Sequence, residues 1–106
     1  MVAVASTTGL VGEPLNAAYG ATKAALITFC ESFSTEESAA GVSATAVCPG
    51  YVATSMTEGL AETVPLETML PIDDVAEIVV GLTRLSRRAV VPYVPILRPG
   101  AHLWRA

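Results

Sequence analysis

The fold class is decided by residues 2–25, which read VAVASTTGLVGEPLNAAYGATKAA. The apolar run at residues 2–6 is typical of a buried β-strand, and the turn-prone stretch 7–9 behind it predicts a loop. Sequence rich in Ala, Leu, Glu and Lys then extends without proline from about residue 15 to residue 40, and predicts one long helix. Gly41 follows, a residue that readily takes the left-handed conformation at a helix end.

The remainder of the chain repeats this alternation. Residues 42–48 are apolar and β-branched, which predicts a parallel strand covered on both faces, and Pro49-Gly50 ends it. Residues 54–70 are irregular and predict one or two short helices. A helix is predicted to begin at Asp73 or Asp74, because acidic residues favour a helix N-terminus and apolar residues follow at helical spacing. These apolar residues are Val75, Ile78, Val79 and Leu82.

A third short strand is predicted at residues 89–91, whereas the tail 92–106 contains three prolines and resists assignment. The order strand, helix, strand, helix, strand predicts an α/β fold. We expect a partial Rossmann-like, doubly wound parallel sheet of three strands with flanking helices, since a complete sheet of this kind has about six strands. Residues 1–106 are therefore expected to form a single partial domain.

Composition also indicates that the chain is part of a larger domain or assembly. Hydrophobic residues make up 52% of the 106 residues and charged residues 15%, against about 25% charged in an average domain. An apolar excess of this size needs a larger core or a partner that covers it. Two cysteines, Cys30 and Cys48, lie in apolar runs and are expected to be buried, reduced thiols.

Charge and hydropathy exclude two classes of partner. The net charge is −4 and the basic residues are mostly scattered, so we expect no nucleic-acid binding. No run approaches the roughly 18 apolar residues of a membrane helix, so we expect no membrane partner. No signal peptide is visible, which makes a cytoplasmic location the expectation. Asp73, Asp74 and Glu77 are explained better by a solvated helix N-terminus than by a metal site, and no metal is expected.

Tyr19 and Lys23 are the first candidates for chemistry. They lie four residues apart, which places both side chains on one face of the predicted helix. A free tyrosine phenol titrates near pH 10, a nearby ammonium favours the ionised form, and such a tyrosine could act as general acid or base. The pair alone is weak evidence, because this spacing occurs by chance in many helices. Ser6 strengthens it, since it ends the first strand, where α/β sheets place their sites.

Three segments together resemble the short-chain dehydrogenase/reductase family: ASTTGLVGEP at 5–14, AYGATKAA at 18–25 and CPGYVAT at 48–54. The resemblance covers residues 2–82 and corresponds to the C-terminal, catalytic half of the family's domain. It implies that Ser6 hydrogen-bonds the substrate oxygen and that Tyr19 exchanges the proton. It also implies that Lys23 holds the nicotinamide ribose and favours the phenolate.

The third segment has an implied role in holding the nicotinamide carboxamide. The resemblance assigns this role to the loop backbone and to one hydroxyl, which involves Pro49, Gly50, Val52 and Thr54. The function implied is an oxidoreductase that transfers hydride between NAD or NADP, which cannot be distinguished here, and a small-molecule carbonyl or alcohol. A full-length parent is expected to be a homo-oligomer. Four apolar residues fall where the family keeps its substrate lid, although core packing explains them equally well: Met56, Leu60, Leu66 and Met69.

One departure from the family pattern leaves a second hypothesis open. The sequence contains no Gly-x-Gly-x-x-Gly phosphate loop, so pyrophosphate and adenosine binding cannot be assigned to any of its residues. The isolated chain is therefore expected to bind a dinucleotide weakly and to be inactive. The alternative is a truncated, non-catalytic remnant or interaction module that lacks cofactor binding. The genomic sequence upstream of Met1 would distinguish a truncated gene from a remnant.

Overall fold

The structure is a computed structural model that describes residues 1–54 and 64–101. Three strands and two α-helices alternate along it, with short 3₁₀ helices between them. The strands are β1 (Val2–Val4), β2 (Thr45–Pro49) and β3 (Tyr93–Ile96), and the helices are α1 (Ala17–Glu37) and α2 (Ile72–Thr83). The 3₁₀ helices cover Thr7–Gly9, Ser38–Ala40 and Leu66–Thr68. Met56 and Leu60, two of the proposed lid residues, lie outside the described residues.

The described strands form one parallel sheet in the order β1-β2-β3. Val2 lies opposite Thr45, and Ala46 lies opposite Tyr93. Every residue of β2 is buried, as the apolar sequence predicts for a central parallel strand. The strand begins at Thr45, not at residue 42, and it includes Pro49, which was predicted to end it. β1 lies at an edge of this sheet and Val4 is 53% exposed, so the expectation of a buried first strand is wrong for that side chain. The parallel sheet with flanking helices confirms the predicted α/β class.

Helix α1 packs on one face of the sheet through small residues. Ala5, Ala46 and Cys48 meet Ile27 and Cys30 of the helix in one buried cluster. Alternate strand residues share a face, which explains why these alanines lie together and allow the helix to approach closely. Both cysteines are free and buried, as predicted. Burial, and then the nearby Cys30, raise the pKa of Cys48 to about 11.

The third strand differs from the prediction. It lies at Tyr93–Ile96, not at residues 89–91, and it contains Pro95. Ala46 N donates to Pro92 O, and Gly50 N donates to Ile96 O. Backbone groups of alternate residues therefore face β2, and the nitrogen of Pro95 faces away from it. Because β3 is at an edge of the sheet, the proline removes no hydrogen bond of the ladder.

Two helix ends can be compared with the sequence. Gly41 has φ 88°, which confirms a left-handed residue behind the long helix and its terminal 3₁₀ turn. Helix α2 begins at Ile72 after Pro71, so the predicted start at Asp73 or Asp74 is late by one or two residues. Both carboxylates lie inside its first turn, where they still favour the positive end of the helix. The predicted apolar stripe of α2 is half-buried. No helix among residues 1–54 and 64–101 is long and apolar enough to cross a membrane.

Ser34 joins α1 to the segment that enters β2. Its Oγ donates to Ala44 O at 2.8 Å and accepts from Ala44 N at 2.9 Å, and both residues are buried. We expect Ser34→Ala to lower the free energy of unfolding by about 1–3 kcal/mol, because it leaves buried backbone groups without partners. Chemical denaturation measures the loss. The control is Ser32→Ala, the same change at an exposed position of the same helix; equal losses in the two variants would contradict the assignment.

Candidate active site

A cleft of about 360 Å³ lies at the carboxyl ends of β1 and β2. All seven residues singled out from the sequence line it, although they come from three separate segments of the chain. Parallel strands bring their carboxyl ends to one edge of a sheet, which explains why Ser6 meets the loop after β2. Tyr19 and Lys23 come from α1, and Lys23 Nζ donates to Val4 O at the end of β1. The lining residues are Val4, Ala5, Ser6, Tyr19, Lys23, Pro49, Gly50, Val52, Thr54, Ile72 and Val75.

Ser6 follows β1 and caps the first 3₁₀ helix. Its backbone is extended, with φ −165° and ψ 152°, and its Oγ accepts a hydrogen bond from Thr8 N at 3.1 Å. The side chain is largely buried, with 8% of its surface exposed. A hydroxyl both accepts and donates, so this bond orients the oxygen without using the hydroxyl hydrogen. Ser6 can therefore donate toward the cleft.

Tyr19 and Lys23 lie one turn apart at the start of α1. Lys23 Nζ lies 5.6 Å from the centroid of the Tyr19 ring, within the range of a cation–π contact. The same ammonium donates to Val4 O at 3.3 Å, which ties it to the end of β1. Tyr19 is 40% exposed, so its phenol remains accessible from solvent. The helix thus presents a phenol with a cation beside it, as the four-residue spacing predicts.

The loop after β2 is held by backbone hydrogen bonds to Leu70. Leu70 N donates to Tyr51 O at 2.8 Å, and Ala53 N donates to Leu70 O at 3.0 Å. Val52 and Leu70 form an isolated parallel bridge, and Leu70 itself is buried. This pairing fixes the path of the loop that carries Val52 and Thr54 past the cleft. No feature of residues 48–54 alone identifies Leu70 as the partner.

Four lining residues were not identified from the sequence. Val4 and Ala5 precede Ser6 directly, whereas Ile72 and Val75 come from the first turn of α2. The apolar stripe of α2 contains Val75, but periodicity does not show which end of the helix meets the site. The proposed lid residues diverge where they are described: Met69 is 5% exposed, whereas Leu66 is 40% exposed. Met69 therefore belongs to the packed interior.

Comparison with known proteins places these features in one family. A family model described as short chain dehydrogenase matches residues 1–65. The chain is 40% identical over 60 residues to a 3-oxoacyl-[acyl-carrier-protein] reductase of Synechocystis sp., which covers 57% of this chain and 24% of that protein. It is 33% identical over 91 residues to an acetoacetyl-CoA reductase of Shinella zoogloeoides, which covers 77% of this chain and 38% of that protein.

Solved structures show the same relationship over most of the chain. An oxidoreductase of the short-chain dehydrogenase/reductase family from Burkholderia thailandensis superposes with a TM-score of 0.74 at 30% identity, covering 91% of this chain and 41% of that chain. A variant of actinorhodin polyketide ketoreductase with NADPH gives 0.77 at 27% identity, covering 91% and 44%. The chain spans about a quarter of the length of the first curated relatives, 24%. From the family match and these likenesses, the chain belongs to the short-chain dehydrogenase family.

Proposed function

We propose that this chain supplies the proton-transfer and nicotinamide-binding part of an NAD(P)-dependent oxidoreductase that interconverts a carbonyl and an alcohol. The observation that carries the proposal is the single cleft that gathers Ser6, Tyr19 and Lys23 with the loop after β2. A phenol, a cation and a hydroxyl from separate segments do not converge in this way by helical spacing alone. The relatives named as reductases support the same reaction class.

Each of three side chains has a distinct role in this proposal. Tyr19 Oη gives a proton to the substrate oxygen in reduction and removes it in oxidation. Ser6 Oγ donates a hydrogen bond to that oxygen and stabilises the charge that develops there. Lys23 places its ammonium 5.6 Å from the centroid of the Tyr19 ring, beside the group that exchanges the proton.

The cleft fits a nicotinamide group in size and chemistry. Its volume of about 360 Å³ lies in the range of small-molecule sites, which combine apolar walls with a few polar groups. Val52, Ile72 and Val75 provide apolar surface suited to a flat ring. Thr54 and the loop backbone would hold the carboxamide, and Lys23 would hold the ribose hydroxyls. The cofactor, when bound, supplies or accepts the hydride. NAD and NADP are both candidates, since solved relatives are described with NADPH and with NAD.

Self-association of the complete protein is part of the same proposal. Phe29 of α1 is 52% exposed and stacks on Phe33, with ring centroids 5.9 Å apart. An exposed aromatic side chain on a helix suits burial against another subunit. A homo-oligomer and a cytoplasmic location both stay predictions.

Cofactor binding tests the proposed function without knowledge of the substrate. We expect the full-length protein that carries this chain to bind NADH or NADPH, measured by calorimetry, and we expect Lys23→Ala to weaken that binding about tenfold or more. The isolated 106 residues should bind either dinucleotide no tighter than about 10 μM, or roughly 7 kcal/mol. Arg84→Ala is the control, because it removes an exposed cation outside the cleft. Failure of the full-length protein to bind either cofactor would overturn the function.

A further inference from the structure

Glu13 accepts three hydrogen bonds from side chains of the surrounding chain. Its Oε2 accepts from Thr8 Oγ1 at 3.1 Å and from Asn16 Nδ2 at 3.4 Å. Its Oε1 accepts from Tyr51 Oη at 3.1 Å, across a separation of 38 residues. The residue is exposed and does not line the cleft. A carboxylate bonded to three donors from different segments is therefore a connection between those segments.

Two of the donors belong to the segments that carry Ser6 and Tyr19. Thr8 also donates its backbone N–H to Ser6 Oγ at 3.1 Å, so the residue bonded to Glu13 orients the serine as well. Asn16 occupies the N-cap position of α1, and its carbonyl accepts from Gly20 N at 2.7 Å. The first turn of α1, which includes Tyr19, thus begins from a residue held by Glu13.

The third donor belongs to the loop after β2. Tyr51 lies between Gly50 and Val52, both of which line the cleft. Its backbone carbonyl is bonded to Leu70, and its phenol is bonded to Glu13. Tyr51 is therefore held both at its backbone and at the tip of its side chain. The loop is thereby attached to the 3₁₀ helix Thr7–Gly9 and to the start of α1 through the carboxylate of Glu13, although it is distant from both in sequence.

We propose that Glu13 is a positioning residue for the candidate active site, whose carboxylate sets the spacing between the Ser6 segment, the start of α1 and the loop after β2. This inference rests on the proposed function. Hydrogen bonds to an ionised acceptor are stronger than neutral ones, so a carboxylate is suited to join three segments at the surface. None of these three hydrogen bonds involves Ser6, Tyr19 or Lys23, and Glu13 acts on them through Thr8, Asn16 and Tyr51.

The ionisation of Tyr51 reports on this contact independently of catalysis. Burial, followed by the charge and hydrogen bond of Glu13, raises the pKa of Tyr51, whereas Arg98 opposes the shift. Tyr51 therefore remains a donor throughout the neutral range. The chain has three tyrosines. The signal of Tyr51 is isolated by subtracting the ultraviolet pH titration of the Tyr51→Phe variant from that of the protein that retains Tyr51.

The first experiment tests whether the contact exists, with the full-length protein that carries this chain. We expect Glu13→Gln to lower the titration midpoint of Tyr51, because the amide removes the negative charge that opposes phenolate formation. Glu36→Gln is the matched control, since it neutralises an exposed carboxylate on α1. A Tyr51 midpoint that does not move in Glu13→Gln, or that moves equally in Glu36→Gln, would overturn the proposal.

The second experiment tests positioning in the full-length protein, with NADPH or NADH and acetoacetyl-CoA as the carbonyl probe. We expect Glu13→Ala to lower kcat about 10- to 100-fold, as small misplacements of reacting groups do. Glu13→Gln, which keeps one acceptor oxygen, should recover most of this loss, and Glu36→Ala should lose nothing. Thermal unfolding of each variant separates misplacement from failure to fold.

The outcomes of the two experiments can be distinguished from failure of the proposed function. If Glu13→Ala folds and keeps the wild-type kcat, or if Glu13→Gln recovers nothing, Glu13 is not a positioning residue. If the wild-type protein binds no nicotinamide cofactor, the proposed function is wrong and the positioning role is overturned with it. The Tyr51 titration would in that case still show whether Glu13 joins the segments.

Discussion

Substituting phenylalanine for Tyr19 is expected to lower kcat of the full-length protein about 10²- to 10⁴-fold, the usual contribution of a general acid–base group. Phenylalanine keeps the aromatic ring that faces Lys23 Nζ and removes only the phenolic oxygen. Cofactor affinity should therefore be almost unchanged. The measurement is a steady-state assay of reduced-nicotinamide consumption, together with calorimetric titration of the cofactor.

Tyr93→Phe is the matched control for this prediction. Tyr93 is 41% exposed and lies on β3 outside the cleft, so the same chemical change should leave kcat intact. Lys23→Ala should differ from both variants, because it also removes the hydrogen bond to Val4 O and lowers the affinity for the cofactor. A Tyr19→Phe enzyme that retained more than half of its kcat would show that another group transfers the proton.

Gly9→Ala is expected to lower the free energy of unfolding by about 3 kcal/mol, at the upper end of the cost of overpacking. A Cβ at Gly9 would lie 2.7 Å from the carbonyl carbon of Lys23 and 2.8 Å from Ala24 N. These are backbone atoms of α1, and they cannot rotate away as a side chain can. Helix α1 would have to move away from the 3₁₀ helix Thr7–Gly9 at the turn of α1 that contains Lys23.

Thermal unfolding measures the effect of Gly9→Ala. In the full-length protein, at the roughly 2–4 °C per kcal/mol of a domain of about 150–250 residues, about 3 kcal/mol corresponds to a fall in Tm of roughly 6–12 °C. Gly12→Ala is the control, because it makes the same substitution three residues further on, where no atom lies within 4 Å of the added Cβ. If Gly9→Ala unfolded at the same temperature as Gly12→Ala, the 3₁₀ helix Thr7–Gly9 would not approach α1 as closely as described.

The predicted elements that were confirmed are those whose signals are local. Helix α1, Gly41 and the fully buried β2 follow from composition, from helical spacing and from the conformational freedom of glycine within short windows. The shared face of Tyr19 and Lys23 follows from the same kind of signal, since residues four positions apart lie on one face of a helix. Ser6 was identified because the end of a strand is evident in the sequence. Their specific roles stay predictions.

The tertiary structure decided the features that depend on distant partners. Residues 89–91 have the β-branched content of a strand, yet β3 forms at Tyr93–Ile96, because the pairing with β2 sets its register and an edge position tolerates Pro95. Ile72 enters the cleft only through the packing of α2.

The bonds of Glu13 illustrate the same limit at the site. Its partner Tyr51 is 38 residues away, and no helical or strand periodicity in the sequence relates the two positions. The sequence by itself therefore determined the order of the elements and the chemical groups on them, which depend on neighbours along the chain. The tertiary structure decided how the segments face one another, because hydrogen bonds and packing between distant residues leave no periodic signal in the sequence.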